Sequence, residues 1–146
     1  MSGPYQARWL TRLQAEHDNL RAALSWSLGE GERVDYGVRL AAALWPFWFT
    51  RGYLSEGRKW IESAVVRTDS SAVIARAKAL HGAGVIATFQ DDCGAAKELV
   101  EEGLALFREV RDKEGIALSL VSLCTVAMSI GRASCRERVG GFECRW

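Results

Sequence analysis

The chain has 146 residues, with 19 Lys and Arg against 18 Asp and Glu, a formal net charge of +1. That balance excludes a strongly basic polyanion binder, and the length is enough for one modest domain with its own core. Hydrophobic residues make up 49% and charged residues 25%, ordinary values for a globular chain.

Ala, Leu, Glu and Arg are abundant while Pro and β-branched residues are sparse, which predicts an all-helical chain. No apolar run is expected to reach the roughly 20 residues that span a bilayer. The opening MSGPYQARWLTRL lacks the apolar core of a secretory leader. The expectation is a cytoplasmic protein. Cys93, Cys124, Cys135 and Cys144 show no CxxC spacing, so neither a metal site nor a disulfide framework is indicated, and no cofactor is expected.

The first predicted helix runs from Tyr5 to Leu28. Trp9, Leu10, Leu13, Leu20, Ala23 and Leu24 recur at three- and four-residue steps, and Gly29-Glu30-Gly31 stops it. The second runs from Arg33 to Thr50. It is apolar over most of its circumference, as in a helix buried between neighbours, and Pro46 should bend it. The third runs from Tyr53 to Val66, with Leu54, Trp60, Ile61, Ala64 and Val65 inward. Thr68-Asp69-Ser70-Ser71 offers an N-cap for the fourth, Ser71 to Phe89, which carries a small-residue face. The fifth runs from Gly94 to Val110 with Ala96, Leu99, Val100, Leu104 and Phe107 inward. The sixth runs from Lys113 to Ile130, with Ile116, Leu120, Leu123, Cys124 and Ala127 on its inner side.

The pattern repeats. Leu44-Trp45-x-x-Trp48-x-x-x-Gly52 aligns with Ala83-Gly84-x-x-Ala87-x-x-x-Asp91 and then with Leu123-Cys124-x-x-Ala127-x-x-x-Gly131, at steps of 39 and 40 residues. Gly57, Ile61 and Ala64 likewise match Ala96, Val100 and Gly103. A period of this size built from helical hairpins predicts an all-α, right-handed solenoid of about six helices in three hairpins. A lone hairpin cannot bury its own apolar face, so successive hairpins stack.

The order of small, aromatic and turn residues in each copy resembles the tetratricopeptide pattern, with Asp91 where Gly is usual. The resemblance sharpens at Trp9-Leu10-x-x-Leu13-x-Ala15-Glu16-His17-Asp18-Asn19-Leu20-Arg21-Ala22-Ala23-Leu24-x-Trp26 and at Arg51-Gly52-x-x-x-Glu56-Gly57-Arg58-x-Trp60. Both stretches resemble the start of the tetratricopeptide-like region of large bacterial signal-transducing ATPase regulators of the LuxR and SARP type. The resemblance covers roughly Arg8 to Ile130. It implies a sensor or protein-interaction arm that accompanies an ATPase module and a DNA-binding module.

The chain has no GxxxxGK[ST], the loop that cradles nucleotide phosphates, and no convincing DNA-reading helix pair. Direct nucleic-acid or membrane contact is therefore not expected. His17 and His81 fall in different hairpins, and Asp91-Asp92-Cys93 lies at a turn, where Asp is favoured for local hydrogen bonding. No nucleophile, base and oxyanion site assembles, so the chain is not read as an enzyme. Arg51 and Arg58 flank the Gly52 turn and are expected to pair with Glu56 or Glu62 or to stack on Trp.

From Gly131 the periodicity breaks. Gly131 to Val139 spells the translation of GGA AGA GCG TCG TGT AGG GAA AGA GTG, a common sequencing-library adapter. The expected division is a helical repeat domain over 1–130 and a non-native or disordered tail over 131–146. Removing the tail's four Arg and two Glu from 19 and 18 leaves 15 basic and 16 acidic residues. The last repeat helix then lacks a partner and could self-associate.

In tetratricopeptide arrays the first helix of each hairpin lines a concave groove. The alignment places Arg39, Phe49, Lys78, His81, Thr88, Phe89, Val121 and Met128 there. Positive charge with aromatic edges suits an acidic peptide or protein segment, one source being the ATPase module of the same protein. The alternative is a small-molecule sensor, with an inducer held near Trp45 and Trp48.

Overall fold

The computed structural model describes residues 4–29, 33–68 and 72–140. Among them the chain forms seven α-helices and no strand: α1 (Pro4–Ala15), α2 (His17–Ser27), α3 (Val34–Arg51), α4 (Leu54–Arg67), α5 (Val73–Phe89), α6 (Cys93–Glu109) and α7 (Lys113–Gly140).

The expected first helix is two. The backbone bends at Glu16 (φ −93°, ψ 9°), although Glu16 still donates to Arg12 O and accepts from Leu20 N. The bend turns His17 inward. Its ring lies 5.4 Å from that of Phe47 and 4.6 Å from that of Tyr53. Tertiary contact at one position has overridden a continuous stripe of leucines. Arg67 Nη1 donates to Leu28 O, closing the end of α2 against α4.

Three of the connections share one geometry. Gly52, Asp91 and Arg111 have φ of 78°, 60° and 56°. Behind them Tyr53 N donates to Trp48 O (2.8 Å), Asp92 N to Ala87 O (3.0 Å) and Asp112 N to Phe107 O (2.9 Å). Each bond spans five residues, the closure of a Schellman motif, and each left-handed residue sits where Gly is favoured. Asp92 then caps α6 by accepting from Ala95 N, and Asp112 caps α7 by accepting from Glu114 N and Gly115 N. The α5 cap differs from expectation. Ala72 stands at its N-cap without a side-chain bond, and 69–71 lie outside the described residues.

Arg111 carries a side chain in a conformation that costs an L-residue roughly 1–2 kcal/mol. Arg111→Gly is expected to raise stability by about 0.5 kcal/mol after the greater chain entropy of Gly is deducted. A rise of roughly 2 °C in thermal unfolding checks this.

α3 packs on α4 and α5; α5 also packs on α4, α6 and α7; α6 packs on α7. The core runs through these contacts as Leu24, Val38, Ala41, Leu44, Phe47, Trp48, Ile61, Leu80, Ile86 and Val100. Close approach is bought with glycine. A Cβ on Gly57 would lie 2.8 Å from Trp48 Cβ, and one on Gly84 would lie 2.4 Å from Val100 Cγ2. α5 is buried around nearly its whole circumference, from Ala77 to Ala87.

α7 differs from its expected form in three ways. It does not end at Ile130 but continues as helix through Gly131 to Gly140; 141–146 lie outside the described residues. Its buried positions are Gly115, Ser119 and Val126, whereas Leu120, Cys124 and Ala127, expected to face inward, are exposed. The neighbours cover the small-residue stripe and leave the more apolar one bare. Third, the stretch Lys113–Arg132 is long and apolar enough, by length and composition, to cross a membrane, where no such run was expected. One side of it is packed on α5 and α6.

Candidate functional site

The inner sides of α3 and α5 enclose a cavity of about 740 Å³. Among the described residues, Arg39 and Lys78 are its only charged lining; the rest are alanines, Val73, Ile74 and Val110. A second, more enclosed cavity of about 250 Å³ lies where α3, α5 and α7 meet. Trp45, His81, Phe107 and Leu118 form its walls, with Asp112 and Glu114 at the α7 end. Ala42 and Lys78 border both cavities, so the two adjoin.

The structure thus brings together Arg39, Lys78 and His81 of the expected groove residues. Arg39 and Lys78 are exposed, and His81 is buried at 8% exposure. Phe49 and Phe89 meet at the other end of α3 and α5, edge to face at 4.7 Å, with Trp45 6.3 Å from Phe49. Thr88 does not present its hydroxyl to a ligand: Oγ1 donates to Gly84 O at 2.8 Å. Val121 and Met128 are exposed on α7 but line neither cavity. The groove alignment left out Ala42, Trp45 and Leu118, with Trp45 named only for the inducer alternative. The repeat step would have found two of them. Arg39, Lys78 and Leu118 form one column at steps of 39 and 40, and Ala42, His81 and Val121 form the next.

His81 is the unusual group. Its Nδ1 is buried and has no hydrogen-bond partner, and its ring stands edge-on to Trp45 at 6.0 Å. Burial holds its pKa below the ordinary 6.5, so the ring is neutral at pH 7. In the unfolded chain the ring binds its proton first as pH falls. Stability is therefore expected to drop from about pH 7 downward until the folded-state value is passed. His81→Gln, which does not titrate, should flatten that part of the stability profile measured by urea unfolding from about pH 7 to 5.

The other polar clusters are structural ties. Arg21 of α2 forks onto Glu56 of α4, Nε to Oε1 and Nη2 to Oε2, both at 2.7 Å. This bond, with His17 nearby, holds the Glu56 carboxyl below its ordinary value. Glu56 Oε1 lies 3.3 Å from His17 Nε2, yet that nitrogen makes no hydrogen bond: the contact is close but misaligned. Arg58 reaches Glu62 (2.7 Å), Gln90 (3.2 Å) and Asp92 (2.9 Å), pinning α4 to the α5–α6 turn. Of the pairings expected for Arg58, the one with Glu62 forms. Asp92 is engaged by Arg58 and by its capping bond, the structural work expected of an Asp at a turn. No cluster of three metal-ligating side chains occurs among the described residues.

No family model matches the chain. No solved structure matches it significantly. Three curated relatives do. A protein named "putative HTH-type transcriptional regulator" from Mycobacterium bovis is 33% identical over 124 residues, covering 79% of this chain and 14% of its own length. Two proteins of the same description from Mycobacterium tuberculosis strains match to the same extent. The chain therefore spans about one seventh of the length of the relatives it matches. The similarity is to one segment, 14% of the length, of proteins named as transcriptional regulators.

Proposed function

We propose that the chain is a non-catalytic sensor or interaction arm of a bacterial, cytoplasmic transcriptional regulator, built as a tetratricopeptide-like solenoid of the LuxR or SARP type. Two things support the solenoid reading: burial that recurs at the step of 39 residues and, for Phe47, Ile86 and Val126, again at 40, and the shared turn geometry at Gly52 and Asp91. The groove between α3 and α5 takes an acidic, extended segment of a protein partner or of the same protein's ATPase module. The observation that carries this is the lining of the larger cavity, which among the described residues holds two cations, Arg39 and Lys78, and no anion on an otherwise apolar wall. Cations beside apolar surface select a carboxylate-bearing peptide with apolar anchors.

The test is binding to an arrayed peptide library. Acidic peptides with apolar anchors should be retained. The double variant Arg39→Glu and Lys78→Glu should lose roughly ten-fold or more in affinity, since like charges across an interface repel. Retention that ignores peptide charge, or a double variant that binds as well as the parent, would sink the groove reading.

A second reading has its own observation. The 250 Å³ cavity has Trp45, Phe107 and His81 in its wall, and the buried His81 Nδ1 has no hydrogen-bond partner. A small inducer would fit there rather than beside Trp48, which is buried at 1% exposure. A thermal-shift screen separates the two readings, because a ligand that binds only the folded state raises the melting temperature. A hit abolished by His81→Gln but not by Arg39→Glu places the ligand in the small cavity.

A further inference from the structure

We infer that the bare face of α7 is a docking site for one amphipathic helix, laid antiparallel on α7 as α6 lies on α5. The inference rests on comparing equivalent positions. The column Val38, Ala77, Ala117 is buried, buried and exposed in α3, α5 and α7. Ala41, Leu80, Leu120 and Trp48, Ala87, Ala127 behave in the same way. In α3 and α5 these columns meet the second helix of the hairpin. Trp48 packs on Gly57 of α4, and Gly103 of α6 sits against Ala77 O and Leu80 Cβ. The columns that meet the preceding hairpin are buried in all three helices: Phe47, Ile86 and Val126. α7 is thus packed on one side like its predecessors, while the side that would take a hairpin partner is open.

The chemistry of the occupant follows from α4 and α6. Both present a small residue, a β-branched residue four further on and a small residue three beyond that: Gly57, Ile61, Ala64 and Ala96, Val100, Gly103, all buried. Residues 131–146 do not supply this. At a step of 40 from Ala96, Val100 and Gly103 stand Arg136, Gly140 and Glu143. α7 also runs straight through Gly131, where Gly52 and Asp91 turn the chain back. The occupant is a helix with the small, β-branched, small stripe of α4 and α6, continuing the α5–α6 interface by one more layer. This face lies apart from the Arg39 and Lys78 groove, so the inference does not depend on what that groove binds.

Cys124 sits on the open face and is exposed, which makes it a reporter. The experiment uses the full chain with Cys93, Cys135 and Cys144 changed to Ser, and a synthetic peptide of residues 93–109 carrying Ser at 93. The peptide should slow Cys124 alkylation ten-fold or more, saturably. The protection should disappear for a Gly103→Leu peptide, and for a chain carrying the exposed Leu120→Asp change whose helicity is unaltered. Absence of protection at millimolar peptide overturns the inference. So does a chain that is dimeric with Cys124 already protected, which would make a second copy the occupant. Protection by neutral lipid vesicles but not by peptide overturns it as well.

Discussion

Trp48→Ala is expected to lower the unfolding free energy by about 3–5 kcal/mol, the cost of emptying an aromatic site in a close-packed core. Trp48 is 1% exposed and stands where α3 meets α4. Its Cβ and ring press on the backbone at Gly57. Domains of this size are stable by only about 5–15 kcal/mol, so the variant should unfold at markedly lower urea, read by far-ultraviolet circular dichroism. A shift worth less than about 1 kcal/mol would mean that the α3–α4 seam is not a close-packed one.

Gly57→Val is the converse change. Its added Cβ would stand 2.8 Å from Trp48 Cβ, an atom fixed by the α3 backbone, and 2.9 Å from Cγ. The helices must separate, at a cost of about 1–3 kcal/mol or more. Gly94 provides the control. Nothing lies within 4 Å of a Cβ there, so Gly94→Ala should gain up to about 0.5–1 kcal/mol from helix propensity. The double variant Trp48→Ala with Gly57→Val should be more stable than the sum of the two losses implies, because the cavity receives the new side chain. Urea unfolding of the four-member cycle measures the coupling.

Helix content was legible because α4 and α6 carry apolar periodicity and α3 and α5 are long apolar runs between turns, and all four end within two residues of where the sequence places them. The turns were only partly legible. Gly52 announces its left-handed backbone, but Asp91 and Arg111 adopt the same conformation without a residue that signals it. The break at Glu16 left no mark because Leu10, Leu13, Leu20 and Leu24 keep step across it. α7 shows the limit of periodicity. It carries two stripes, Gly115-Ser119-Val126 and Leu120-Cys124-Ala127, and only the neighbouring helices decide which is covered. Of the residues that line the two cavities, the repeat step had named Arg39, Lys78 and His81; the Phe49–Phe89 pair lies outside both linings. Trp45 was expected only beside an inducer, and the α7 junction sets it in the wall of the smaller cavity. For residues 131–146, the adapter-like reading concerns the gene rather than the fold, and resequencing the native locus past codon 130 would decide it.

The three like-closed turns carry a consequence for how such a gene can change. Each closure is made within six residues, from Trp48 to Tyr53, Ala87 to Asp92 and Phe107 to Asp112. Each helix then finds its partners among the few that adjoin it in the chain. Duplication or loss of a block of about 39 or 40 codons therefore changes how many layers there are without redesigning any one of them. Length becomes a quantity that mutation can adjust in whole units, and the groove's reach lengthens or shortens with it.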